Sequence, residues 1–223
     1  MDRAASPDPG RRTRLVIAAV LTAVAIVAVS LVVGRMSAST QANPSTTSAE
    51  AGFARDMQVH HQQAVEMALI VRDRTDDAAV RLLAYDIATA QSQQAGQMFA
   101  WLNVWGVPQA ASEPSMTWMT RPPLGSTEHD HAESGEATDH VPGGPMPGMA
   151  TAEQLEQLAA ASGVEAERMF LTLMIAHHKG GVEMAQALLD RSDYRVTADF
   201  ARAVIYAQTS EIQMMEDMLK KRS

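Results

Sequence analysis

Two stretches, "FARDMQVHHQQAVEMA" at 53–68 and "FLTLMIAHHKGGVEMA" at 170–185, decide how this chain is read. Setting residues 53–102 over 170–219, an offset of 117 with no gap, matches sixteen of fifty positions. Eight of the matches fall inside the two quoted stretches: Phe53/Phe170, Met57/Met174, His60/His177, His61/His178, Val65/Val182, Glu66/Glu183, Met67/Met184 and Ala68/Ala185. The others run from Asp73/Asp190 to Leu102/Leu219 and include Gln91/Gln208 and Met98/Met215. Each copy reads as helix, break, helix. A single helical hairpin cannot bury its own apolar stripe, whereas two copies can bury each other's. The repeat therefore predicts an all-α protein, an up-down four-helix bundle made of two duplicated hairpins.

Within the first helix of each copy the stripe can be phased. Phe53, Met57, His60, Ala64, Met67 and Val71 alternate steps of four and three, as do Phe170, Met174, His177, Gly181, Met184 and Leu188. That is the spacing of a helix face turned toward a core. His60 and His177 fall on the stripe, and His61 and His178 sit about 100° around the helix at its flank. The partner helices carry stripes of Gln91, Gln94, Met98 and Leu102, and of Gln208, Glu211, Met215 and Leu219.

Two readings of this pattern stay open. In one, Met and Ala fill the core and the histidines are hydrogen-bonded to the glutamines. In the other, the two His pairs and four Met converge near the pseudo-two-fold axis and bind a soft metal. Thioether with imidazole, without thiolate, suits copper, above all Cu(I). The candidate ligands are Met57, His60, His61, Met67, Met174, His177, His178 and Met184. Around them, Gln91 and Gln208 are buried amides able to hold a ligating histidine's second ring nitrogen, with Met98 and Met215 beside them.

Composition narrows the setting. The chain has 223 residues, fifteen Met, seven His, no Cys and a net charge of −8. Without Cys there is no disulfide, no thiolate ligand and no thiol nucleophile. No basic patch lies outside the N-terminus, which argues against nucleic acid. Leu15 to Val33 run without a charge, "LVIAAVLTAVAIVAVSLVV", close to the roughly 20 apolar residues that match a bilayer core. Arg11, Arg12 and Arg14 precede this run, so the N-terminal side is expected in the cytoplasm and the rest outside. The expected layout is a cytoplasmic basic tail at 1–14, a transmembrane anchor at 15–34, a polar tether at 35–48 and the bundle at 49–222. Small residues after Gly34 leave open a cleaved, secreted form.

Inside the bundle, Thr47 with Glu50 has capping-box spacing and predicts a helix from residue 48 or 49 to about Arg74. Thr75 or Asp76 is the expected next N-cap, and Gly106 with Pro108 stops the second helix at Trp105, closing a hairpin over 49–105. Residues 106–150 are rich in Pro, Gly, Ser and acidic side chains and read as a loop or disordered crossover. They include His129, His131 and His140, with Met116, Met119, Met146 and Met149. A flexible acidic linker is the favoured reading, weak metal capture the alternative. Thr151 with Gln154 is a second capping box, opening a short helix to Gly163. Helices from about Val164 to Asp190 and Tyr194 to Lys221 complete the hairpin over 151–222.

Catalytic constellations are not evident. Di-iron carboxylate bundles need Glu-x-x-His on two helices, and neither histidine pair has Glu at that spacing. Asp56 stands four before His60, but its counterpart is Leu173. No Ser occupies a nucleophile elbow.

The motif M-x-x-H-H-x-x-x-V-x-M-A, found twice, together with "MPGMATAEQLEQLAAASG" at 146–163, resembles a bacterial "domain of unknown function" family of exported, ferritin-like four-helix proteins. The resemblance spans residues 50 to 221. It implies an up-down bundle, secreted or membrane-anchored, with no established enzymatic activity, and some members are linked with periplasmic copper binding. Carried over by motif, it points to the same eight Met and His residues. Which protein partner it has is left open.

Overall fold

The computed structural model describes residues 9–37, 41–126 and 140–222, and within the first of these it describes side chains only at 17–18 and 20–32. Two units are distinguished, Met1–Ala42 and Asn43–Ser223. The first contains helix α1, Pro9–Ser37. Its described apolar side chains, Ile17 to Val32, are exposed. Among the described residues no helix is long and apolar enough to cross a membrane. The expected span, Leu15 to Val33, lies within α1, and its Leu15, Val16, Ala19 and Val33 have side chains outside the described residues. The expected membrane span is thus not shown among the described residues.

The second unit is all-helical among its described residues, with α2 (Ala49–Arg72), α3 (Ala78–Trp105), α4 (Ala152–Ala160), α5 (Gly163–Leu189) and α6 (Arg195–Lys220). Helices α2 and α3 pair as one hairpin, α5 and α6 as the other, and the hairpins meet through α2 and α5. The apolar core lies in two clusters. One gathers Phe53, Met57, Met98, Leu102, Met184 and Leu188. The other gathers Met67, Val71, Leu83, Ile87, Phe170, Met174 and Met215. The start of α2 thus packs with the end of α5, and the reverse, so these helices run antiparallel with their histidines midway.

Local chemistry adjusts the expected boundaries. Ser48, not Thr47, caps α2, its hydroxyl accepting from the Ala51 amide at 3.3 Å. Glu50 instead receives the Ser192 hydroxyl from the loop of the other hairpin. Asp77, not Thr75 or Asp76, caps α3 by accepting from the Ala79 and Val80 amides at 2.9 Å. Thr75 is freed to accept from the Asp77 amide and to donate to buried Glu167 at 2.5 Å. Glu50/Glu167 and Thr75/Ser192 share the offset of 117, so each hairpin's loop hydroxyl locks onto the first helix of the other. The repeat is thereby expressed as reciprocal interhairpin bonds.

Elsewhere the caps fall as expected. Gly106 ends α3 in the left-handed region at φ 71°. The Thr151–Gln154 capping box opens α4. That helix stops at Ala160, short of Gly163, whose amide instead donates to the Arg74 carbonyl at 2.7 Å as α5 begins.

Much of the crossover is ordered against the helices rather than loose. Residues Thr117–Thr120 form a 3-10 turn that buries Trp118 and Met119, with Met116 buried just before it. Trp118 meets Phe53 edge-on, at 5.8 Å between ring centroids. A Cβ on Gly52 would lie 2.6 Å from the Trp118 side chain, so only glycine admits it. The Asp56 carboxylate accepts from the Met116 amide at 2.7 Å and from Trp118 Nε1–H at 2.9 Å. This explains why Asp56 has no acidic counterpart at Leu173: the crossover docks on one repeat only. His129 and His131 lie outside the described residues; His140 contacts Glu183 at 2.9 Å.

Candidate functional site: a buried histidine layer

All four motif histidines are fully buried. Stripe and flank are both buried, because α3 covers His61 and α6 covers His178. His61 Nε2 bonds Gln94 Oε1 at 2.8 Å, and His178 Nε2 bonds Glu211 Oε2 at 2.6 Å. Both partners stand 33 residues after their histidine. His60 and His177 meet across the α2–α5 interface, ring centroids 3.7 Å apart and planes inclined by 33°. His177 Nε2 bonds the His60 carbonyl at 2.9 Å, while His60 Nε2 bonds the Pro147 carbonyl at 3.0 Å.

The pseudo-two-fold breaks at His60 because the crossover passes over α5. A Cβ on Gly180 would collide with the Pro147 carbonyl, and one on Gly148, at φ 71°, would lie 3.0 Å from His177 Cα. Gln63, the repeat counterpart of Gly180, grips the same segment through the Ala150 amide at 2.7 Å and carbonyl at 2.9 Å. A glycine on one helix and a glutamine on the other thus hold 147–150 in place.

These bonds fix the tautomers. A carbonyl, an amide oxygen and a carboxylate can only accept, so each Nε2 carries the proton and donates it. In a neutral ring Nδ1 is then a bare lone pair. All four Nδ1 atoms, at His60, His61, His177 and His178, are buried with no hydrogen-bond partner among the described residues. Burial pulls the His60 imidazole down to about 4, against the opposing Pro147 bond, and His61 down to about 3. His177 falls well below its ordinary value, again chiefly by burial. These three rings are neutral near pH 7.

The thioethers are placed differently from the expected convergence. Met57, Met184 and Met98 lie in one apolar cluster, and Met67, Met174 and Met215 in the other. All six are fully buried, flanking the histidine layer in two sets. Gln91 and Gln208 are buried, yet they do not hold the histidines' second nitrogens; Gln94, Glu211, Pro147 and the His60 carbonyl do. The Gln91 Oε1 atom and both Gln208 amide atoms have no hydrogen-bond partner among the described residues. Among the described residues no three His, Asp or Glu side chains are grouped closely enough to hold a metal together. By chemistry alone the donors suit a soft cation, since the histidines with unpaired Nδ1 atoms share α2 and α5 with four buried thioethers. A ligating histidine characteristically donates its other N–H to a carbonyl or carboxylate, and all four do so here.

The model of the family described as "Domain of unknown function (DUF305)" matches residues 50–219. Among solved structures, the chain is 46% identical to a DUF305 protein of Streptomyces coelicolor that carries the description of a secreted protein. That match covers 80% of this chain and 96% of the other, with a TM-score of 0.68. A DUF305 fragment from Deinococcus radiodurans is 31% identical over 78% of this chain and 96% of its own, TM-score 0.59. CopM in its Cu(I)-bound form is 21% identical over 77% and 96%, TM-score 0.55, a likeness of fold. No curated protein matches.

Proposed function

Since the chain belongs to the DUF305 family, we propose that its helical unit is an extracytoplasmic copper-binding module that buffers or sequesters the ion. The observation that carries this reading is the set of four buried Nδ1 lone pairs, each on a ring whose Nε2–H is already donated. A lone pair left unpaired in the interior forfeits a hydrogen bond it would make in water, so four together in one layer call for a ligand. His60, His61, His177 and His178 are the imidazole donors; Met57, Met67, Met174 and Met184 supply thioether sulfur. CopM has been solved with Cu(I), Cu(II) and Ag bound, which supports copper as the soft cation to test first.

The same reading takes residues 49–222 as an up-down, ferritin-like four-helix bundle with hairpins at 49–105 and 151–222 joined by the crossover 106–150. It holds residues 15–33 as a membrane anchor between a cytoplasmic tail at 1–14 and a tether at 35–48. The secreted description of the Streptomyces coelicolor protein supports placing the bundle outside the cytoplasm. Alkaline carbonate extraction of membranes tests the anchor: full-length protein should stay in the pellet, and release into the supernatant refutes it.

A Cu(I) competition titration of the purified protein tests the binding. The parent should take up copper, and His60→Ala/His177→Ala should lose most of that uptake. Equal uptake by the two proteins rejects the assignment. The second reading is a non-catalytic interaction module whose histidines are satisfied internally. It is favoured by the direct contact of the His60 and His177 rings, whose centroids are 3.7 Å apart. Copper should then leave the melting temperature unmoved, whereas a ligand specific to the native state must raise it.

A further inference from the structure

The pseudo-symmetry sets up a controlled comparison inside one molecule. His61 and His178 occupy equivalent positions, are equally buried, and each donates Nε2–H to a residue 33 positions later. The acceptor is a neutral amide at Gln94 and a carboxylate at Glu211. Lys179, next to His178, is exposed and paired with Glu216 at 3.3 Å. We propose that Glu211 is a positioning residue that makes the His178 side of the layer fill before the His61 side and biases it toward the more highly charged cation. The proposal rests on the copper-binding reading above.

The physical reason is charge transmitted through the ring. A cation on Nδ1 withdraws electron density from the imidazole and makes Nε2–H more acidic. A carboxylate accepting that hydrogen stabilises the change and offsets the charge, while an amide supplies only a dipole. His178 is fully buried and Glu211 is partly so, which leaves this interaction only partly screened, and Coulomb energy grows in proportion to the ion's charge. The advantage of Glu211 over Gln94 is therefore larger for Cu(II) than for a monovalent ion.

Full-length protein, its Glu211→Gln variant and its Gln94→Glu variant are titrated with Ag(I), a diamagnetic monovalent probe, and with Cu(II) in competition with a chelator. Imidazole nitrogen–proton NMR spectra follow the Ag(I) series. In the parent, His178 ring signals should shift during the first equivalent, before those of His61. Glu211→Gln keeps an acceptor for His178, so the fold is retained, but the filling order should vanish. First-equivalent Cu(II) affinity should fall about 10–100-fold, and Ag(I) affinity by a smaller factor. Gln94→Glu should strengthen the His61 side. Unchanged order and affinity in both variants overturn the ranking, as does an equal loss for Ag(I) and Cu(II), which marks a purely structural hydrogen bond. A parent that binds neither ion rejects the functional reading itself.

Discussion

Gly180 and Gly96 both lie within long helices, and replacing either with alanine should change stability in opposite directions. In isolation Gly→Ala within a helix gains about 1 kcal/mol, because alanine loses less backbone entropy. At Gly96, on the exposed side of α3, a Cβ meets nothing within 4 Å, so this gain stands and Gly96→Ala should stabilise by roughly 0.5–1 kcal/mol. At Gly180 a Cβ would collide with the Pro147 carbonyl carbon and oxygen and lie 2.9 Å from the Gly148 nitrogen. Every atom in the way is backbone, so no side chain can rotate aside. Overpacking of this kind costs about 1–3 kcal/mol. Moving Pro147 also breaks its bond to His60 Nε2 at 3.0 Å, worth about 1 kcal/mol. The losses outweigh the gain, and Gly180→Ala should be destabilised by roughly 1–3 kcal/mol. For a unit of this size that lowers Tm by roughly 3–8 °C, measured by circular dichroism melting. A Gly180→Ala protein that melts at or above the parent refutes the close approach of the crossover to α5, and with it the account of how His60 is oriented.

Acid should unfold the protein through its histidine layer. In the unfolded chain His60 titrates near 6.5 and in the folded protein at about 4, so between these values the unfolded state holds more protons. Stability is complete above about pH 6.5 and declines as the pH falls toward 4, by on the order of 3 kcal/mol for His60 alone. Denaturant midpoints at pH 7 and pH 4.5 check this, and equal midpoints exclude neutral buried rings. Asp56→Leu, which installs the residue found at its repeat counterpart, strands the Met116 amide and the Trp118 indole N–H and should cost about 2–4 kcal/mol. Trp118 fluorescence should shift to the red as the 3-10 turn lifts; an unshifted spectrum contradicts the anchoring role. Thr75→Val keeps the side-chain shape but removes the bonds to Glu167 and the Asp77 amide, with a loss of about 1–3 kcal/mol in chemical denaturation. Ser192→Ala should behave similarly at the equivalent lock; a loss at only one of the two would deny their equivalence.

Helical periodicity and the offset of 117 placed Met57, His60, Met67 and their counterparts on core stripes. All are buried, because a repeated apolar stripe has one low-energy use, burial against its own duplicate. Glycine and capping chemistry located most helix ends within a few residues. The assignments that slipped share a cause. Glu50 has the spacing of a capping partner yet bonds Ser192, and Thr75 resembles a cap yet bonds Glu167; in both, a tertiary partner captured a polar side chain with a good local use. His61 keeps its flank position yet is as buried as His60, because α3 covers that flank.

The crossover's dependence on particular contacts was less legible still. Its Pro, Gly and acidic content reads as linker, while "MTWM" at 116–119 and the unmatched Asp56 were the signals that it docks. What the sequence by itself determined is the duplicated helical hairpin and the paired burial of imidazole and thioether, because periodicity and repetition are local and additive. Only the tertiary structure decided that the His60 and His177 rings meet and that the methionines divide into two clusters. It also decided that Pro147, Gln94 and Glu211 receive the Nε2 protons, because each of these depends on atoms far apart in the chain being brought within bonding distance.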